Sequence, residues 1–126
     1  MDPTHAILYD ADCGFCKWSL NKVLAWDRRG RLRPVAIQSE EGQGLLAPLA
    51  AEARLDSWHL VGPEGEICSS GGAAAPLARL LPGGRPLAAL FERFPRPTER
   101  AYRWVAEHRD RLARILRIEE SCEVRR

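Results

Sequence analysis

Apolar residues open the chain as a short run. His5-Ala6-Ile7-Leu8-Tyr9, closed by Asp10, reads as a buried strand over 5–10. From residue 14 to 28 the spacing turns helical. Phe15, Trp18, Leu20, Val23, Leu24 and Trp26 form a broad stripe, and Asp27-Arg28-Arg29-Gly30 supplies a glycine stop. Leu32 to Ile37 reads as a second strand, and Pro34 within it restricts that part to a sheet edge or a strand start. Strand, helix and strand at this spacing make a βαβ unit with a right-handed crossover.

The pattern changes again in the second half. Gln38 to Gln43 reads as a polar loop and Leu45–Ala53 as a short Ala/Leu helix. A third strand over 56–61, a Gly62-Pro63-Glu64-Gly65-Glu66 turn and a fourth strand over 67–69 predict an antiparallel hairpin. Ala73–Leu81 reads as a helix ended by Pro82-Gly83-Gly84, and Leu87–Phe94 as another stopped by Pro95. A long last helix starts near Pro97 or Thr98, with Ala101, Val105, His108, Leu112, Ile115 and Leu116 as its apolar face. Residues 119–126 read as a frayed tail. Nothing resembles an internal repeat or a linker, so one domain over 1–126 is expected, with about 85–118 as a C-terminal helical extension.

The chemistry is concentrated where the first strand meets the first helix, at Tyr9-Asp10-Ala11-Asp12-Cys13-Gly14-Phe15-Cys16. Two cysteines three apart at a helix start can close a small disulfide with little backbone movement. The first thiol lies beside unpaired helix N–H groups and the positive end of the helix dipole. That setting favours the thiolate, which is the nucleophile. Cys13 is therefore expected as the exposed attacking thiol and Cys16, one turn into the helix, as the more buried resolving thiol. Lys17 adds a nearby positive charge, while Asp10 and Asp12 act the other way. A Cys-x-x-Cys also serves as half of a zinc site, which needs two more ligands. Cys68 and Cys122 are lone residues far apart, with no second Cys-x-x-Cys or His-x-x-x-His beside them. An iron–sulfur site lacks its ligand spacings, and two inert core cysteines are the remaining reading.

Composition narrows this further. Hydrophobic content of 45%, charge of 29% and a net charge of +2 are ordinary for a soluble protein. Of nineteen basic residues all but Lys17 and Lys22 are arginine, interleaved with acids rather than gathered in one patch. Nucleic-acid binding is not expected. No run approaches the roughly 20 apolar residues of a membrane span, and the N-terminus lacks a secretory pattern. A cytoplasmic protein is expected, in which a Cys-x-x-Cys is catalytic or metal-binding rather than a structural staple.

The order βαβ, helix, β-hairpin, helix, with the dithiol at the end of the first strand, predicts an α/β protein with a thioredoxin-like fold and extra C-terminal helices. Tyr9-Asp10-x-x-Cys13-x-x-Cys16 also resembles the DCC family of predicted thiol-disulfide oxidoreductases, whose name residues fall on Asp10, Cys13 and Cys16. Further likeness runs through Asp27–Arg33 and Val35-Ala36-Ile37-Gln38-Ser39, Gly65, and Gly71-x-x-Ala74. It ends in Pro95-Arg96-Pro97, Ala101–Ala106 and Arg109. The resemblance implies dithiol–disulfide exchange. One departure from thioredoxin matters: Arg54-Leu55-Asp56-Ser57-Trp58 lacks the proline that precedes its third strand. The usual clamp for a substrate peptide is then missing or rebuilt.

The leading expectation is a thiol-disulfide oxidoreductase with catalytic Cys13, Cys16 and Asp10. Its partners are a protein or small-molecule disulfide and a thiol electron donor, and no cofactor or metal is needed. Asp10 either orders the loop or takes a proton from Cys16, against an Asx-type turn as the plain alternative. Tyr9, Trp58 and Trp104 read as packing residues, His108 as a satisfied core histidine, and Tyr102 and Arg109 as anchors of the last helix. Cys68 and Cys122 read as inert. The alternatives are a metal-binding or redox-sensing module built on the same dithiol, and an adaptor whose C-terminal helices dock a partner.

Overall fold

The computed structural model describes residues 4–55, 57–118 and 124. Strand β1 (His5–Tyr9) leads into helix α1 (Gly14–Trp26), and β2 (Leu32–Ala36) follows. Short helices α2 (Glu40–Leu45) and α3 (Ala51–Arg54) precede the hairpin of β3 (His59–Val61) and β4 (Ile67–Ser69). A 3₁₀ turn at Ser70–Ala73 then runs into α4 (Ala74–Leu80), α5 (Arg85–Arg93), α6 (Pro95–Glu107) and α7 (Arg109–Ile115). The strands form one mixed sheet in the order β2-β1-β3-β4. β1 and β2 are parallel, with Ile7 opposite Pro34, and β3 is antiparallel to both β1 and β4. Pro34 thus sits on an edge strand, where its missing N–H costs no ladder bond.

Because side chains alternate along a strand, β1 feeds two cores. Ile7 packs with Leu20, Leu24, Leu32 and Leu60 on the α1 face. Ala6 and Leu8 pack with Val35, Ile37, Leu46 and Val61 on the other. Both faces of the sheet are covered, which is why β1 is apolar throughout its centre. Asp27 at the end of α1 is 1% exposed, yet its carboxylate accepts from Arg31 N (3.1 Å) and Leu32 N (2.9 Å). A buried charge thereby fixes the turn that launches β2. This mixed sheet, βαβ then hairpin, is a thioredoxin-like fold with added C-terminal helices.

Five expectations need correction. Gln38 to Gln43 is not a loop: Ser39 caps α2 by accepting from Gly42 N (3.0 Å), and Glu40 and Glu41 sit in the first turn, where the helix dipole favours acids. Gly42 lies so close to β2 that a Cβ there would collide with the Ala36 carbonyl oxygen. The helix expected over 45–53 is interrupted: Leu45 ends α2, Ala51–Arg54 forms α3, and Pro48 lies in the turn between them.

The long last helix breaks at His108, whose N–H is shared between the carbonyls of Trp104 (3.1 Å) and Val105 (3.2 Å). The break shifts the helical phase. Val105 and Leu112 stay half-buried, but Ala101, Ile115 and Leu116 face solvent. His108 is not a core residue either. Its Nδ1 bonds the Trp104 carbonyl (2.7 Å) and its ring stacks on Trp104, itself 54% exposed rather than packed. The expected tail, Cys122 included, lies outside the described residues except for Val124, which packs against the α1-side core.

Candidate active site

The turn between β1 and α1 builds the dithiol. Asp10 folds back over it: its Oδ1 accepts from Asp12 N (2.9 Å), and its carbonyl accepts from Cys13 N (3.2 Å). This is an Asx-type turn. Gln38, just past β2, locks it from the side. Gln38 Nε2 donates to Asp10 Oδ1 (2.7 Å), and Gln38 Oε1 accepts from Ala11 N (3.1 Å). Cys13 then occupies the N-cap of α1 in an extended conformation, and its Sγ accepts from Cys16 N (3.2 Å). In most helices serine, threonine or aspartate makes that bond. Here a sulfur makes it, and the bond strengthens as the sulfur becomes negative.

The electrostatics separate the two thiols. Cys13 is pulled down to about 6, first by the hydrogen bond from the Cys16 side chain. Burial opposes this, and the Cys16 backbone N–H and the charge of Arg109 support it, while Asp10 works against it. Cys16 moves the other way, far above the ordinary thiol range. It gives its S–H to Cys13, is partly buried and faces the Cys13 charge. One sulfur is thus a thiolate near neutral pH and its neighbour stays protonated. A thiolate beside a thiol can attack a sulfur electrophile and then be displaced from it. Both cysteines are half-buried, so Cys13 is less open than the sequence reading expected.

The cation at the site comes from the far end of the chain. Arg109, the first residue of α7, lines the same cavity as Cys16 and Asp10. Burial pulls its pKa down, but the charges of Cys13, Cys16 and Asp10 and a hydrogen bond to Cys16 raise it overall. Tyr102 on α6 stands nearby. Burial raises its pKa, and hydrogen bonds to the Trp58 backbone and the Ser57 side chain hold its hydroxyl. Together α6 and α7 wall a cavity of about 290 Å³ over α1 and β1, lined chiefly by apolar side chains. Tyr9 and Trp58 belong to this wall as well as to the core.

The structure therefore brings Asp10, Cys13 and Cys16 together, as the motif predicts. It assigns the nearby positive charge to Arg109 rather than to the sequence neighbour Lys17. Gln38 was missed: a polar residue after an edge strand carries no local sign that it reaches a turn formed 27 residues earlier. Cys68 is half-buried beside the core and far in sequence from the dithiol. Among the described residues no three metal-ligating side chains gather, and no helix is long and apolar enough to cross a membrane.

Fold and dithiol define a thioredoxin-like protein of the Cys-x-x-Cys class. More narrowly, the chain belongs to the DCC1-like thiol-disulfide oxidoreductase family, which matches residues 7–115. It is also similar to the uncharacterized protein YuxK of Bacillus subtilis (strain 168). The two are 28% identical over 109 residues, covering 85% of this chain and 79% of that protein. No solved structure matches it.

Proposed function

We propose that the chain is an enzyme of thiol–disulfide exchange, acting as a single domain over 1–126 in the cytoplasm. Cys13 is the attacking thiolate. It opens a disulfide of a protein or small-molecule substrate and forms a mixed disulfide with one half. Cys16 attacks the Cys13 sulfur, releases that half as a thiol, and leaves a Cys13–Cys16 disulfide for a thiol donor to reduce. Asp10 orders the turn that presents Cys13, and Arg109 is a positioning residue that holds negative charge at the dithiol. The observation that carries this reading is Cys13 as a helix N-cap bonded by Cys16 from both its backbone and its side chain.

The test is alkylation of each cysteine against pH, mapped by peptide mass before and after oxidation. The expected result is fast reaction of Cys13 with a midpoint near 6, slow reaction of Cys16, and a Cys13–Cys16 link on oxidation. Two cysteines that both titrate as ordinary thiols, near 9.0, would overturn it.

A further inference from the structure

The cavity beside the dithiol is larger than the exchange chemistry itself requires. We propose that it receives the apolar arm of a low-molecular-weight disulfide, which makes small apolar disulfides the preferred substrates. The proposal rests on the exchange reading above. Three observations carry it.

The first is position. Cys16 and Arg109 line the cavity together with Ile7, Leu20 and Leu77. A molecule held there lies beside Cys16, whose N–H bonds the Cys13 sulfur, and has its body among hydrocarbon. The second is size and lining. About 290 Å³ is at the low end of small-molecule sites, roughly 300–1,000 Å³. It accepts one alkyl or aryl arm and is too small for a folded peptide segment. Its polar groups are few, and the Arg109 guanidinium already answers the charges of Cys13 and Asp10. An additional carboxylate therefore gains little, and a neutral arm suits the reduced site better. The third is the wall opposite α1. An extended protein segment would need free backbone groups to pair with. At Trp58 the backbone is already bonded to Tyr102, and its carbonyl accepts from Ser70 N (3.4 Å).

The step balances without a further reagent. The Cys13 thiolate bonds one sulfur of R–S–S–R, and the S–S bond breaks to release RS⁻. Cys16 then bonds the Cys13 sulfur and releases the second RS⁻. One of these takes the Cys16 proton and the other takes a proton from water. The protein dithiol loses two electrons, and the disulfide gains them as two thiols.

The test uses the reduced full chain in single turnover with two dialkyl disulfides, dipropyl disulfide and bis(2-hydroxyethyl) disulfide. Each rate is divided by that of dithiothreitol with the same compound, so intrinsic S–S reactivity cancels. The expected result is about a tenfold preference for dipropyl disulfide, the scale of a small apolar group in a matching pocket. Ala106→Phe, which fills the cavity from α6, should reduce that preference towards one. A normalised ratio of one for the natural chain overturns the substrate class and leaves the exchange reading standing. No transfer to either compound overturns both. A second measurement does not depend on the variant folding. Titration of the natural chain with 1-hexanol should shift the NMR signals of Ile7, Leu77 and Val105, whereas shifts confined to Leu90 on α5 and Phe94 just after it overturn the pocket.

Discussion

The two ends of the chain meet at the dithiol but contribute differently. The β1–α1 turn supplies the dithiol, the reacting atoms of the proposed exchange, from a few consecutive residues, Asp10 to Cys16, held by bonds within the turn and to Gln38. The α6–α7 pair supplies no sulfur. It brings Arg109 and Tyr102 over the turn and encloses the cavity. The first region makes the chemistry possible through local geometry. The second sets its charge and surroundings through packing. Changes in the first should therefore abolish function or folding, and changes in the second should tune it.

The largest effect belongs to the turn. Cys13→Ser should reduce disulfide exchange to background, because a serine hydroxyl at the N-cap keeps the helix but is a far weaker nucleophile. Cys16→Ser should leave the first attack intact and trap a one-to-one mixed disulfide at Cys13, visible by intact mass. Turnover that survives Cys13→Ser would place the chemistry elsewhere and end the contrast between the two regions.

Next in size is the scaffold of the same region. Asp27→Ala removes a buried carboxylate that satisfies Arg31 N and Leu32 N. Leaving buried donors unpaired and losing charge-assisted bonds costs about 3 kcal/mol, read as a lower urea midpoint. A loss under about 0.5 kcal/mol, the usual range for surface substitutions, would show that the β2 launch is held by something other than Asp27.

How much of this was legible follows the same division. The strand, the dithiol and the helix after it lie within one stretch, so their spacing alone located them. Pro34 correctly marked an edge strand, because its missing N–H is a local property. Arg109 reads first as an anchor and only second as a contact for substrate or partner, since its place beside the dithiol depends on where α7 lies after the break at His108. That break, and with it the exposure of Ile115 and Leu116, arises from backbone sharing between Trp104 and Val105, which helical periodicity does not encode. The α2 helix was missed for a related reason. Its cap at Ser39 is local, but the glycine that suits it to β2, Gly42, looks like a loop residue without the strand beside it.

Arg109 sharpens the comparison from the C-terminal side. Arg109→Gln removes a cation that acts on the Cys13 thiol, an effect of roughly 1 kcal/mol for a solvent-screened charge pair. The alkylation midpoint of Cys13 should rise from about 6 towards 9.0, with about threefold slower reaction at pH 6. Arg109→Lys should restore much of the charge effect. An unmoved midpoint would assign the shift wholly to the turn. The thiolate also leaves a signature in stability. Between about 6 and 9.0 the unfolded Cys13 holds a proton that the folded one has lost. The reduced protein should therefore gain stability as pH rises through that window, and lose the gain as pH falls through about 6. Above 9.0 the trend reverses, because unfolded Cys16 ionises while folded Cys16 stays protonated. The disulfide form has neither thiol to titrate, so urea midpoints of the two forms against pH should differ by this bell-shaped component.

The smallest effect is expected at Tyr102, where the two regions touch through the wall and not through the reacting sulfurs. Tyr102→Phe keeps the ring that lines the cavity and removes one hydroxyl with its bonds to Trp58 and Ser57. Hydrogen bonds of this kind contribute about 1 kcal/mol, so the urea midpoint should fall modestly. The Cys13 alkylation profile should stay in place, because the groups that act on that thiol are Cys16, Arg109 and Asp10. The informative reading is the joint one. A stability loss with an unmoved thiol midpoint means that α6 is fastened by Tyr102 while α7 is set by its own packing against α1. A midpoint that moves with the stability loss means that Arg109 reaches the dithiol only because Tyr102 holds α6 down, and the C-terminal pair then acts on the turn as one body.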